Sequence, residues 1–288
     1  MDKPWTIGDL LRWATDDFSR RGIESARLDA EVLLAEALGR RRVDLYLHFA
    51  DQPGAEALAR FRELVRRRRA REPVAHILGK KEFRSFELLT PPGLFIPRPE
   101  TEVLVDEALA RLRTLAGAQP IAVLDLCAGT GAIGLAIARE LAAARVAAVD
   151  LNPRAGEAIR ANALRLGLAD RVEFLPGDLF EPVRGREPFN LIACNPPYIA
   201  SAEIDGLMPE VSVHEPRLAL DGGADGLDLV RRLLAEAGAW LRPGGWLLCE
   251  LGEGQAEAAA ALPAPGLRHE ANRSDIRGVL RVAIFRRA

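Results

Sequence analysis

The sequence predicts an α/β protein in which a parallel sheet with flanking helices follows a small helical domain. Three observations predict it. The first 70 residues repeat apolar positions at helical spacing, a Pro- and Gly-broken stretch follows, and from residue 121 onward short apolar runs alternate with helix-like segments. With 288 residues and 49% hydrophobic content the chain can bury two cores, one clearly the larger.

Taken in order, Thr6 is placed to cap a helix whose Ile7, Leu10, Leu11, Ala14 and Phe18 share one face, with Gly22 as the stop. Leu28, Val32, Ala35 and Leu38 mark a second helix over 25–39. A third, over 55–70, ends in the basic run Arg66-Arg67-Arg68-Arg69-Ala70-Arg71. Residues 83–89 and 94–96 read as extended pieces around Pro91-Pro92-Gly93, a hairpin linker. After a helix over 100–115, strands are expected at 121–126, 145–150, 171–175, 190–194 and 245–251, with two more near 267–270 and 278–285. Continuous apolar runs of this length suit strands buried on both faces.

The formal net charge of −2 argues against a chain that coats nucleic acid by neutralising phosphates. Cys127, Cys194 and Cys249 lie in apolar runs without metal-site or redox-pair spacing, so reduced core residues and no metal are expected. No apolar run approaches membrane-spanning length, and Met1-Asp2-Lys3-Pro4-Trp5 is unlike a targeting segment; a cytoplasmic protein is the expectation.

Chemistry concentrates after the strands. Leu126-Cys127-Ala128-Gly129-Thr130-Gly131 leads from a strand through a tight glycine turn into a helix, where backbone can approach a ligand and free N–H groups meet an anion. Gly129, Gly131 and Gly134 satisfy G-x-G-x-x-G, a weak signal alone. Asp150 ends the next strand about 20 residues past the glycines, where a carboxylate can hold ribose hydroxyls. Asp178 and Leu179, after the third strand, can meet an adenine amine and ring face. The fourth strand runs into Asn195-Pro196-Pro197-Tyr198. There the Asn195 side-chain carbonyl and the Pro196 main-chain carbonyl offer two fixed acceptors for the two N–H bonds of an amide or aryl amine, with Tyr198 as a flat wall. Such a grip directs the nitrogen lone pair at an incoming methyl group and stabilises the positive charge that develops on nitrogen.

With these residues in place the chain resembles the class I S-adenosylmethionine-dependent methyltransferases, a Rossmann-like seven-stranded fold, and within them the peptide chain release factor glutamine N5-methyltransferases. The likeness also runs through Glu72-Pro73-Val74-Ala75-His76-Ile77-Leu78-Gly79, Glu82-Phe83, Ile96-Pro97-Arg98-Pro99-Glu100-Thr101-Glu102 and the stretch from Glu215 to Leu227. It implies an N-terminal helical substrate-docking domain (1–72), a hairpin linker (73–97) and a methyltransferase domain (98–288). It further implies methyl transfer from S-adenosyl-L-methionine, with S-adenosyl-L-homocysteine as product, to the glutamine of the Gly-Gly-Gln motif of class 1 release factors. A monomer without membrane association or stable nucleic-acid binding is expected.

Carried over by position, cofactor contacts fall on Cys127, Ala128, Gly129, Thr130, Gly131, Asp150, Asp178, Leu179 and Asn195. Catalytic acceptors fall on Asn195 and Pro196, and substrate contacts on Asn195, Pro196, Pro197 and Tyr198. Two positions depart from the pattern: Cys127 stands where glycine is usual, restricting the approach of the donor's methionine part, and His76 where tyrosine is usual. An adenine-N6 nucleic-acid methyltransferase would use the same tetrapeptide, and a ribosomal-protein glutamine methyltransferase would share the chemistry while differing in docking. The arginine run at 66–71 is the feature that favours nucleic acid; its other reading is a solvated helix end.

Overall fold

The computed structural model describes residues 5–115 and 120–288. The chain forms two compact units, Met1–Gly79 with Pro209–His214, and Lys80–Met208 with Glu215–Ala288.

The first unit is built from helices α1 (Ile7–Arg20), α2 (Ala26–Leu38), α3 (Arg42–Leu47), α4 (Ala55–Arg69) and α5 (Val74–Leu78). Thr6 caps α1 in a reciprocal box with Asp9: the Asp9 N–H donates to Thr6 Oγ1 and the Thr6 N–H to Asp9 Oδ2, each at 3.1 Å. Gly39, with φ of 62°, stops α2 in the left-handed conformation. Phe18, Leu33, Leu34, Leu45 and Phe61 are almost wholly buried, each contributing roughly 1.5–3 kcal/mol of transfer free energy.

The helix α5 lies in the stretch expected as linker. It belongs instead to this unit, because Ile77 enters the helical core and the Arg67 guanidinium donates to the Ile77 carbonyl at 2.9 Å. The arginine run is not a bare solvated end either. Arg66 pairs with Glu63, Arg67 with Glu72, Arg69 with Asp17, and buried Arg68 with both Asp29 and Glu210, the latter shared with Arg71.

The second unit opens with the hairpin β1 (Lys80–Phe83) and β2 (Phe86–Leu89), antiparallel with Phe83 opposite Phe86. The expectation of one strand over 83–89 answered by another at 94–96 is corrected. The turn falls at Arg84-Ser85, where Arg84 takes a φ of 52° and its N–H donates to Glu102 at 2.9 Å. No Gly or Asn marks that turn, so it carries no ordinary turn signal. Phe83, Phe86 and Leu88 enter the core of the second unit, and Asn162 bonds both the N–H and the carbonyl of Leu89.

Then follow in chain order α6 (Thr101–Leu112), β3 (Ile121–Leu126), α7 (Ala132–Glu140), β4 (Ala144–Asp150), α8 (Pro153–Arg165), β5 (Val172–Pro176), β6 (Phe189–Cys194), α9 (Pro209–Ser212), which belongs to the first unit, α10 (Asp228–Trp240), β7 (Leu241–Glu250), α11 (Ala256–Ala260), β8 (Leu267–Ser274) and β9 (Leu280–Arg287). The seven strands order as β5-β4-β3-β6-β7-β9-β8. The first five run parallel; β9 is antiparallel to both β7 and β8, so the last two strands are a hairpin rather than further parallel members. One apolar layer covers each face of the sheet, with α6, α7 and α8 on one side and α10 and α11 on the other. The chain winds outward from β3 through β5, then returns to β6 beside β3. That reversal opens a crevice beyond the carboxyl ends of β3 and β6. Among the described residues no helix is long and apolar enough to cross a membrane.

Candidate active site

The crevice holds a cavity of about 420 Å³, within the range of small-molecule sites. Of the residues expected there, Cys127, Ala128, Gly129, Thr130, Asp150, Asp178, Leu179, Asn195, Pro196, Pro197 and Tyr198 all line it. Gly131 is outside the lining. With φ of 81° it begins α7, and a Cβ there would stand 3.0 Å from side-chain carbons of Ile159 and Leu135, so its part is to let the turn pack on α7 and α8.

At the glycine end, Gly129 has φ of 54° and open space where a Cβ would project. Its N–H donates to Asp150 Oδ2 at 2.7 Å while the Asn152 N–H donates to Oδ1 at 2.7 Å, so the aspartate is aimed by the loop it faces. Burial pushes the Asp150 carboxyl above the ordinary range, and these two N–H bonds oppose the shift. Cys127 also takes a left-handed φ, 56°, and its sulfur lies 3.9 Å from that of Cys194. All three cysteines are free. Asp178 is held at 2.7 Å by Arg232 of α10, and Leu179, with φ of 43°, is buried beside it.

Asp125 lies inside β3, where the sequence indicates strand and no more. It is fully buried and accepts the Gly134 N–H at 2.8 Å, fastening the start of α7 to the sheet. Burial, with the Asp150 charge adding to it, pushes its carboxyl up to about 7.

At the other end, the tetrapeptide is fixed from several directions. The Asn195 Nδ2 donates to Thr101 Oγ1 at 3.3 Å. The Tyr198 carbonyl accepts from Gln255 Nε2 at 2.8 Å, and Gln255 Oε1 in turn accepts the Gly252 N–H at 2.8 Å. A short parallel bridge joins Ile199 to Asp221: the Ile199 N–H donates to Leu220 at 2.9 Å and the Gly222 N–H to Ile199 at 2.8 Å. Gly226 passes so close that a Cβ on it would stand 2.2 Å from the Tyr198 carbonyl oxygen. The 215–227 stretch thereby forms one wall of the site. Its first residue, buried Glu215, is ion-paired with Arg98 and accepts the Ile96 N–H at 3.3 Å. Arg98 lies 4.8 Å over the Phe95 ring.

Thr101, which the sequence offers only within the likeness over 96–102, also lines the cavity; Gln255 and Glu250 carry no site role in the sequence. The signal for Glu250 was there: an acid ends the apolar run Leu247-Leu248-Cys249. Among the described residues no group of three or more His, Cys, Asp or Glu side chains is arranged to hold a metal ion.

A sheet of this order, with a glycine loop and acid after adjacent strands and N-P-P-Y across the crevice, defines an S-adenosylmethionine-dependent methyltransferase. Residues 9–79 match the family model of the PrmC N-terminal domain, and residues 101–224 that of the methyltransferase small domain. A release factor glutamine methyltransferase of Geobacter sulfurreducens is 45% identical over 91% of this chain and 90% of its own length. One of Deinococcus radiodurans is 41% identical over 98% of this chain and 99% of its own, and one of Rhodopirellula baltica 43% identical over 87% and 85%. The chain belongs to the release factor glutamine methyltransferase family.

Proposed function

We propose that this chain methylates the side-chain amide nitrogen, N5, of the glutamine in the Gly-Gly-Gln motif of class 1 translation release factors, using S-adenosyl-L-methionine. The observation that carries the reading is the position of Asn195-Pro196-Pro197-Tyr198 at the reversal of the sheet, lining the same cavity as the glycine loop.

The residues fit the donor. Gly129 leaves open the space a Cβ would fill, Asp150 presents a carboxylate for ribose hydroxyls, and Asp178 with Leu179 suits an adenine amine and ring face. Cys127 to Thr130 would line the methionine part. When bound, S-adenosylmethionine supplies an electrophilic methyl group.

The protein's task is to make a poor nucleophile reactive. An amide lone pair is delocalised into its carbonyl, and holding both N–H bonds on the Asn195 and Pro196 carbonyls turns the nitrogen toward the methyl donor while stabilising its developing charge. The proton is released to water after transfer, so no strong base is needed at the nitrogen. Tyr198 closes one side; burial, with the Glu250 charge adding to it, pushes its phenol well above the usual range and keeps it neutral.

Protein rather than nucleic acid as substrate is supported by the arginine run, whose guanidinium groups are committed to carboxylates. A release factor substrate puts the reaction in the cytoplasm, and a single chain holds every group invoked. The test offers labelled S-adenosylmethionine with purified release factor, its Gly-Gly-Glu variant, ribosomal protein and duplex DNA. Label confined to the unaltered release factor is expected; label on DNA or ribosomal protein would overturn the substrate.

A further inference from the structure

Behind the tetrapeptide, away from the cavity, Glu250 ends β7 with 1% of its surface exposed. Cys194 pairs with Cys249 across β6 and β7, which sets Glu250 beside Asn195; the Thr101 hydroxyl and the Asn195 side chain are the hydrogen-bonding neighbours of its carboxylate, and one of its oxygens has no hydrogen-bond partner among the described residues. Buried carboxylates are costly, and this one is at the back of the residue on which the chemistry depends. We infer that Glu250 is a positioning residue for methyl transfer: through Thr101 it fixes which end of the Asn195 amide faces the substrate nitrogen. The inference rests on Asn195 being the acceptor proposed above.

The two ends of a carboxamide are nearly equal in shape and opposite in hydrogen bonding, so packing alone does not choose between them. Only the carbonyl end can grip a substrate N–H; the NH₂ end would repel it. An ionised carboxylate accepts and never donates. We place the Thr101 proton on Glu250, which leaves Oγ1 as an acceptor, and an acceptor at 3.3 Å demands the Nδ2 end of Asn195. The Oδ1 end is then left for the crevice. A protonated Glu250 breaks this polarity, since it can donate to Thr101 or to the amide oxygen and lets the amide turn over.

The other charged and titratable groups around Glu250 are Arg281 of β9, Glu100 before α6, Tyr198 and its neighbour Cys249. Arg281 is shared with Asp275 at 3.2 Å, so it compensates the burial only in part. Burial pushes the Glu250 carboxyl up to about 7, with Thr101, Arg281 and Asn195 opposing. The orienting form is therefore the one present above about pH 7.

The experiment measures kcat, KM for the acceptor that the wild-type protein labels, and the S-adenosylmethionine dissociation constant, from about pH 6 to about pH 9. It uses wild type, Glu250→Gln, Thr101→Val and Thr101→Ser. Glu250→Gln and Thr101→Val are expected to lower kcat roughly tenfold to a hundredfold while donor affinity stays within about twofold. Thr101→Ser restores most of the rate, and the acid limb of the wild-type kcat profile near pH 7 disappears in Glu250→Gln. A Glu250→Gln protein with wild-type kcat and an unchanged acid limb overturns the inference. So does a pair of threonine variants equally slow, or a loss of donor binding in step with kcat, since either result assigns Glu250 and Thr101 to structure alone. If wild type labels something other than a release factor, the substrate reading fails, and the same series on that acceptor still decides the role of Glu250.

Discussion

The two ends of the crevice are built differently. At the donor end the glycine turn and its two aspartates are near in sequence: the Gly129–Asp150 bond spans 21 residues and the Gly134–Asp125 bond nine, with only the Asp178–Arg232 pair reaching further, across 54. At the chemical end the contacts are long-range: Asn195 meets Thr101 across 94 residues, Tyr198 meets Gln255 across 57, and Arg98 meets Glu215 across 117. The glycine turn of the donor end is made within one strand–turn–helix–strand unit, β3 to β4, whereas the chemical end joins elements far apart in the second unit. Binding the donor and orienting the acceptor should therefore be separable by mutation.

The largest effect is expected from Asn195→Ala, which removes one of the two proposed acceptors. It should cost about 2–4 kcal/mol in transition-state stabilisation with donor affinity nearly intact. Turnover at the wild-type rate would erase the distinction between the two ends. Asp150→Ala should show the reverse pattern, weakening S-adenosylmethionine by about 1.5–3 kcal/mol, the usual worth of charged hydrogen bonds, with kcat at saturation little changed. An unaltered dissociation constant by calorimetry would remove the aspartate from the donor site.

Stability against pH sharpens the comparison further, because each end holds one buried acid. Asp125 and Glu250 are both pushed up to about 7 by burial. Between the ordinary carboxylate range and that value the folded protein keeps protons that the unfolded chain has released. Their contribution is thus complete at the acid side of this window and is lost as pH rises through about 7. The melting temperature should fall between about pH 4.5 and about pH 7 and level off above that, and Glu250→Gln should flatten part of that fall. Identical pH dependence in the variant would mean that Glu250 titrates normally in the fold. The smallest change is expected from Cys127→Gly, which relieves a left-handed backbone costing about 1–2 kcal/mol while adding unfolded-state freedom. Donor affinity should tighten by less than about tenfold, since the widened loop is proposed to line the methionine part alone; weaker binding would show that the Cys127 side chain helps hold the donor.

The same contrast explains what was legible in the sequence. Strand β3 stands at 121–126 as its apolar run indicates, and Thr6, Gly39 and the glycine turn act where their local chemistry places them. Eleven of the twelve expected site residues line the cavity; the exception is Gly131, whose turn geometry resembles that of a lining glycine until the packing of Leu135 and Ile159 is known. The hairpin turn at Arg84-Ser85 carries no Gly, Asn or Asp, and α5 is short enough that its tie to Arg67 decides where it belongs. Nothing local in Thr101 or Gln255 says that it holds Asn195 or Tyr198. Glu250 is the intermediate case: an acid closing an apolar strand is visible, but its partner lies on another element.

The most direct test of the account is fragmentation mass spectrometry of a purified release factor after incubation with this protein and S-adenosylmethionine. A single methyl group on the side-chain nitrogen of the Gly-Gly-Gln glutamine is the result predicted, formed roughly thirtyfold to a thousandfold more slowly with Asn195→Ala. A methyl group on another residue, or on that glutamine with Asn195→Ala at the wild-type rate, would contradict it.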